Sequence, residues 1–161
     1  MFERVRDEVI DVVASIDLAV PPREVWAVIK PPETATLLDP NLIRAFRVPG
    51  TPKGVGEMQG FIGHRDGREY AQLVEVVEEV AERWVLIRVV GGPDEAARTG
   101  YRLTAIPEGT RLEQLLSVTV PASQIKARNQ IRQQYRAAAE AFLERVRVLV
   151  APAGPSSGRH T

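Results

Sequence analysis

The chain contains no cysteine, which excludes disulfides, thiolate zinc sites and cysteine nucleophiles. It also has no net charge, because 21 basic and 21 acidic side chains cancel. A neutral chain lacks the electrostatic footprint on which non-specific nucleic-acid binding depends, so no nucleic-acid partner is expected. Histidine is scarce, with two in all. His64 stands beside Asp66 in a turn-like HRDG stretch. One His next to one Asp is too small a donor set for a metal, and without a placed serine it is no nucleophile–base pair. An exposed turn histidine is the simpler reading. Long apolar runs are missing too. None approaches the ~20 residues that span a bilayer. Residues 1–7 are charged rather than a basic stub before an apolar stretch, which argues against a signal peptide. A P-loop is absent, and Gly54, Gly56 and Gly60 lack the spacing of a dinucleotide fingerprint. These absences leave a cytoplasmic protein with no metal and no cofactor as the expectation.

What is present is the composition of one globular domain. The 161 residues are 44% hydrophobic and 26% charged, enough to bury a core. Residues 9–20 (VIDVVASIDLAV) alternate, with Ile10, Val12, Ala14, Ile16 and Leu18 on one side and Asp11, Ser15 and Asp17 on the other. That pattern predicts a long antiparallel strand with one buried face. Pro21-Pro22 ends it and opens a helix over residues 23–30, where Val25, Trp26 and Ile29 share a face. After Pro31-Pro32 a second short helix is expected over residues 34–38, with Thr34 as its cap.

Turn signals then divide the next eighty or so residues into strands. The expected spans are 43–48, 54–62 (rich in glycine), 68–77, 83–90, 98–106 and 110–120, with a tight hairpin at residues 64–67. Pro121 ends the last strand. Residues 123–150 carry no Gly or Pro and read as one long helix capped by Ser123. The low-complexity stretch 151–161 is expected to be disordered. The expected architecture is therefore α+β: a curved antiparallel sheet of six to seven strands wrapped around a C-terminal helix, with two short helices after the first strand, in a single domain over residues 8–150.

Three stretches carry a resemblance: SIDLAVPPREVWAVI, FRVPGTPKGVGEMQGF and EGTRLEQLLSV. With this element order, the chain resembles the helix-grip superfamily, START-like or SRPBCC, which includes lipid-transfer domains, polyketide cyclase/dehydrase-like proteins and Bet v 1-like proteins. The resemblance implies a cavity between sheet and helix. It does not by itself imply one activity, because the superfamily includes carriers, sensors, cyclases and interaction modules. Many polyketide-cyclase-like members carry an Arg in the strand after the Gly-x-Gly and a Glu in the strand after the hairpin. Here those neighbourhoods read Glu57-Met58-Gln59 and Tyr70-Ala71-Gln72.

Candidate site residues follow from the faces. On the terminal helix the apolar stripe runs through Ile131, Tyr135, Ala138, Ala139, Phe142, Val146 and Leu149. Extended backwards, it meets Gln124 and Arg128, with Arg132 at its edge. A dry seam is thus expected along the second half, and a polar, ligand-facing half around Gln124, Arg128 and Tyr135. A structural ion pair or a snorkelling Arg128 is the competing reading. On the sheet, Tyr101, Leu103 and Ala105, then Leu112, Gln114, Leu116 and Val118, face inward. Gln114 and Tyr101 are polar groups in an apolar cleft, the usual means of orienting a small ligand. In residues 83–90, Val85, Ile87 and Val89 are preferred inward for packing, with Arg88 as a candidate if the other face is used.

The partner expected is a small hydrophobic molecule with a polar group, such as a lipid, polyketide or aromatic metabolite. A polyketide cyclase, aromatase or dehydrase-like enzyme working in the same cavity, without metal or covalent nucleophile, is the alternative. A ligand-free interaction module is the third reading. Sheet edges are compatible with a monomer or a homodimer.

Overall fold

β1 (Glu8–Leu18) buries Ile10, Val12, Ala14 and Leu18 while Asp11, Ser15 and Asp17 stay exposed, as alternation requires. The computed structural model from which this is read describes residues 6–151; the expected disorder of the tail, from residue 152 on, falls outside the described residues. Pro22 opens α1 (Pro22–Ile29), at a position where the missing N–H has no helical partner to lose. A 3-10 turn, Pro32–Thr34, leads into α2 (Ala35–Leu38), which buries Leu38. Thr34 does not cap α2 as expected. Its hydroxyl turns back to the carbonyls of Val28 and Pro31, so it ties the α1–α2 junction together instead.

Six more strands follow: β2 (Leu42–Arg47), β3 (Met58–Arg65), β4 (Arg68–Val80), β5 (Trp84–Gly91), β6 (Arg98–Ile106) and β7 (Gly109–Val120). They form one seven-stranded antiparallel sheet in the order β1-β7-β6-β5-β4-β3-β2. The sheet is curved, with register shifts at Leu42/Arg44, Leu73/Val74 and Val76/Glu78 of the kind that bend a strand. The β3–β4 hairpin closes through Asp66 and Gly67, both at positive φ (52° and 74°), which matches a two-residue turn.

One strand starts later than expected. Gly54 and Gly56 hold φ of +85° and +90°, a left-handed backbone that cannot run in a ladder. β3 therefore begins at Met58, and the preceding loop is fastened to β4 by Gly56 N donating to Val76 O and Val76 N donating to Glu57 O.

The terminal helix also differs. Residues Ala122–Ala127 form a 3-10 turn, and α3 (Arg128–Val150) starts after it. Ser123 is not its cap. The Pro121 carbonyl accepts from Gln124 N at 2.8 Å, and the Asp7 carboxylate accepts from Ala122 N at 2.9 Å. At ~1.5 Å per residue, α3 is still about 35 Å long. It buries Ala139, Leu143 and Val146. Leu143 was missing from the expected stripe, and Leu149, expected inside, is 40% exposed. The inward face is rotated by about one residue from the stripe read off the sequence.

α3 packs chiefly on β1, with α1 and β7 next. Two apolar clusters result. The larger joins Ala14, Leu18, Val20, Val25, Leu38, Leu103 and Leu112 to Ala139, Leu143 and Val146. The smaller, under the first half of α3, is Ile10, Val118 and Val120 with Ile125, Ile131 and Tyr135 against them. Because α3 lies toward the β1–β7 side, it leaves the concave face of β3, β4 and β5 uncovered. That geometry leaves room for a cavity.

Candidate functional site

The inward positions of β3 to β7 meet beneath α1 and α2 and outline a half-open cavity of about 290 Å³. The sheet contributes Gln59 and Phe61 from β3, Tyr70, Gln72 and Val74 from β4, Ile87 and Val89 from β5, Thr99 and Tyr101 from β6, and Gln114 from β7. Ile29, Pro32, Ala35, Leu38 and Asp39 roof it, and Phe142 of α3 closes one side. Every second residue of each strand points the same way, so these residues converge although β3 and β7 are far apart in sequence. The result is a mostly apolar chamber with a few placed polar groups, the usual composition of a small-molecule site. Its volume is at the small end of such sites.

Tyr101 and Gln114 are direct partners across β6 and β7. Gln114 Nε2 donates to the Tyr101 hydroxyl at 3.3 Å, and the Tyr101 ring lies 5.6 Å from that of Phe142. Gln114 is 6% exposed, yet its Oε1 has no hydrogen-bond partner; nor has the buried Oε1 of Gln72. Burial pushes the Tyr101 phenol well above its ordinary pKa, and the hydrogen bond from Gln114 only partly opposes that. Burial likewise raises Tyr70 and Tyr135.

These shifts have a consequence for stability. An unfolded tyrosine loses its proton near pH ~10, while the folded chain retains these three, so the folded state binds more protons and stability falls as pH rises past ~10. Tyr101→Phe is expected to flatten part of that alkaline decline in urea titrations at successive pH values. An unchanged slope would show that Tyr101 has no part in it.

A buried ionic cluster stands behind Gln59. Glu57, 4% exposed, accepts from Gln59 Nε2 at 2.6 Å and from Lys30 Nζ at 3.1 Å. Lys30 Nζ also lies 3.0 Å from Glu79 Oε1. One ammonium from the end of α1 thus serves two carboxylates, one in the β2–β3 loop and one in β4. At the other end of the chamber Arg65 makes two hydrogen bonds to Asp94, at 3.2 and 2.8 Å, and stacks 5.0 Å above the Tyr70 ring. This pair links the β3–β4 hairpin to the β5–β6 loop.

A second, shallower cavity of about 370 Å³ adjoins the first and shares Leu38, Asp39, Gln114 and Phe142 with it. Leu116, Tyr135, Ala138 and Arg145 are also in its wall. Gln114 and Phe142 form the partition between the two.

The residues singled out from the sequence divide accordingly. Tyr101 and Gln114 line the inner cavity, and Gln114, Leu116 and Tyr135 the outer one. Leu103 is 5% exposed and belongs to the larger apolar cluster. Ile131 packs on the smaller cluster. Arg128 lines neither cavity; it is exposed, and its Nε is 3.8 Å from Glu8 Oε2. Gln124 and Arg132 are exposed as well. Extrapolating the α-helical stripe backwards failed for Gln124 because the 3-10 turn advances about 120° per residue instead of about 100°. It failed for Arg128 because that side chain turns outward beside Glu8 at the start of β1, while Ile131 of the same turn packs inward on the cluster that holds Ile10. Arg88 lies on the outer face, donating to Glu75 at 3.1 Å; Val85 is buried, and Ile87 and Val89 point into the cavity, as preferred.

Gln59, Phe61, Arg65, Tyr70, Gln72 and Thr99 were missed. Alternation in β3 and β4 would have placed Gln59 with Phe61, and Tyr70 with Gln72, on shared faces. Polar residues on both faces of those strands hid which face was inward. The two neighbourhoods where the resemblance implies an Arg and a Glu supply Gln59 and Gln72, two neutral amides. Among the described residues no helix is long and apolar enough to cross a membrane.

Comparison with known proteins agrees with this architecture. Among solved structures, ginseng major latex-like protein 151 from Panax ginseng superposes with a TM-score of 0.71 at 12% identity, covering 89% of this chain and 99% of that one. The di-domain ARO/CYC StfQ of the steffimycin biosynthetic pathway gives 0.75 at 14% identity, over 88% of this chain and 50% of that one. A protein from Thermus thermophilus gives 0.68 at 20% identity, over 89% and 99%. At these identities the likeness is one of fold. No curated protein sequence matches. A family model described as polyketide cyclase / dehydrase and lipid transport matches residues 9–149. The chain therefore belongs to the polyketide cyclase/dehydrase and lipid transport family.

Proposed function

We propose that this chain binds a small, mostly apolar molecule in the chamber under α1 and α2. The carrying observation is a half-open cavity of mixed polar and apolar lining in which two buried amide oxygens, on Gln72 and Gln114, have no protein partner. Buried polar atoms are rarely left bare, because each costs about 1–3 kcal/mol when unpaired. A ligand that meets them recovers that cost. The family description supports a ligand-handling role of this kind.

Full-length protein, purified and sprayed under native conditions, is expected to carry or take up one small apolar molecule. A ligand at one hundred times its Kd should add about 2.7 kcal/mol to the unfolding free energy, a shift of several degrees in Tm. Ala35→Trp, which fills the roof from a partly exposed helix, should abolish the shift. No shift with any member of a lipid, polyketide and aromatic panel would end this reading. The recovered ligand also separates binding from catalysis. Unchanged ligand supports a carrier, whereas a cyclised or dehydrated product supports the cyclase-type reading that the family description also favours.

A further inference from the structure

We infer that the molecule taken by the inner cavity is neutral and presents hydroxyl groups: a hydroxylated aromatic of modest size, rather than a carboxylate, an ether or a ketone. This rests on the cavity-binding reading above and specifies its ligand class.

Three amides reach the chamber from three different strands, Gln59 on β3, Gln72 on β4 and Gln114 on β7. Their orientation decides what they can bind. Glu57 is a carboxylate and only accepts, so Gln59 must turn its NH2 group to it, at 2.6 Å, which leaves the carbonyl end for other partners. Lys30 holds Glu57 in turn, at 3.1 Å. Gln114 spends an N–H on Tyr101, and its Oε1, like that of Gln72, is buried and unpartnered. Amide oxygens call for a donor on the ligand. The Tyr101 oxygen already accepts from Gln114, so its own proton is free to be donated. A hydroxyl answers both demands, because it accepts from Tyr101 and donates to an amide oxygen. An ether or ketone accepts only and leaves the amide oxygens bare.

Charge points the same way. Among the described residues Arg65 is the one cation lining the cavity, and both its hydrogen bonds go to Asp94. Asp39 lines the same space. A carboxylate would have to share Arg65 with Asp94 while facing Asp39, so no net positive charge awaits it there. Phe61, Tyr70, Tyr101 and Phe142 supply aromatic walls, which suit a flat ring.

Four probes on one ring system test this: dihydroxynaphthalene, its dimethyl ether, dimethylnaphthalene (the same size with no polar group) and naphthalene carboxylate. Calorimetry on the full chain is expected to rank the diol first by roughly tenfold or more, as one or two satisfied buried acceptors would give. Gln114→Leu and Gln72→Leu should each shrink the diol's advantage over dimethylnaphthalene measured on the same variant, and an undiminished advantage in both overturns the inference. A carboxylate or ether bound as tightly as the diol overturns the inference and leaves cavity binding standing. Equal binding of diol and dimethylnaphthalene also overturns it. If none of the four binds while a member of the wider lipid and polyketide panel does, this inference falls and cavity binding stands.

Discussion

Lys30→Met is expected to lower the unfolding free energy by about 3–5 kcal/mol, the usual cost of breaking a buried ion pair by removing one partner. Lys30 is the ammonium between Glu57 and Glu79, at 3.1 and 3.0 Å, and all three side chains are at least 80% buried, with exposures of 16%, 6% and 20%. Methionine keeps most of the volume and removes the charge, so two carboxylates would face each other with no cation between them. Their repulsion is weakly screened by solvent at that depth. Urea unfolding measures the effect directly. The double variant Lys30→Met with Glu57→Gln should recover part of the loss, because it removes one of the opposed charges. If Lys30→Met unfolds at the wild-type urea midpoint, the cluster contributes nothing to stability. The same cluster orients Gln59, so the single variant should also weaken ligand binding more than its distance from the cavity suggests.

Gly109→Ala is expected to cost about 3 kcal/mol or more, through a clash added to backbone strain. Gly109 opens β7 at φ +148°, and a Cβ there would lie 2.1 Å from Leu18 O, 2.8 Å from Val20 N and 2.9 Å from Val20 O. All three are backbone atoms at the end of β1, where the fully buried Thr110 also donates its hydroxyl to Val20 O at 2.8 Å. No side-chain rotation relieves such a contact. The β1–β7 pairing and the turn toward α1 would have to shift instead. Gly67→Ala is the matched control. It holds φ +74° with nothing within 4 Å of the new Cβ, so it should show only the left-handed penalty of about 1–2 kcal/mol. Thermal unfolding of the two variants should differ clearly, and equal Tm values would refute the steric argument.

Much of the fold was legible because its signals are local. Alternation in β1 named its buried face residue by residue, and proline pairs marked both ends of α1. β6 was read to its full span, 98–106, because Gly91-Gly92-Pro93 and Pro107 bound it. The failures share a cause. The late start of β3 came from two glycines whose positive φ is invisible in a residue list. Thr34 and Ser123 suit a helix cap by type, but the first found carbonyl partners and the second was left behind by a 3-10 turn. The helix stripe lost Leu143 and gained Leu149 because a rotation of one residue is within the reach of packing and beyond the reach of a periodicity count.

The candidate site was harder to read for the same reason. Tyr101 and Gln114 stood out because each is a polar residue on an otherwise apolar face. Gln59, Tyr70 and Gln72 did not, because β3 and β4 carry polar residues on both faces. Arg128 stood out as a charge on an apolar stripe, yet it sits outside both cavities with Glu8 beside it.

By itself, the sequence determined the elements of this protein and their order, the inward faces of β1, β6 and β7, and the absence of thiol chemistry. Tertiary structure alone decided where the sheet bends and which part of it α3 covers. It also decided that three glutamines from three strands meet in one chamber with two amide oxygens unpartnered. The reason is physical. Local backbone preference and hydrophobic period act over a few residues, whereas the position of a helix on a sheet is settled by the whole core that both must bury.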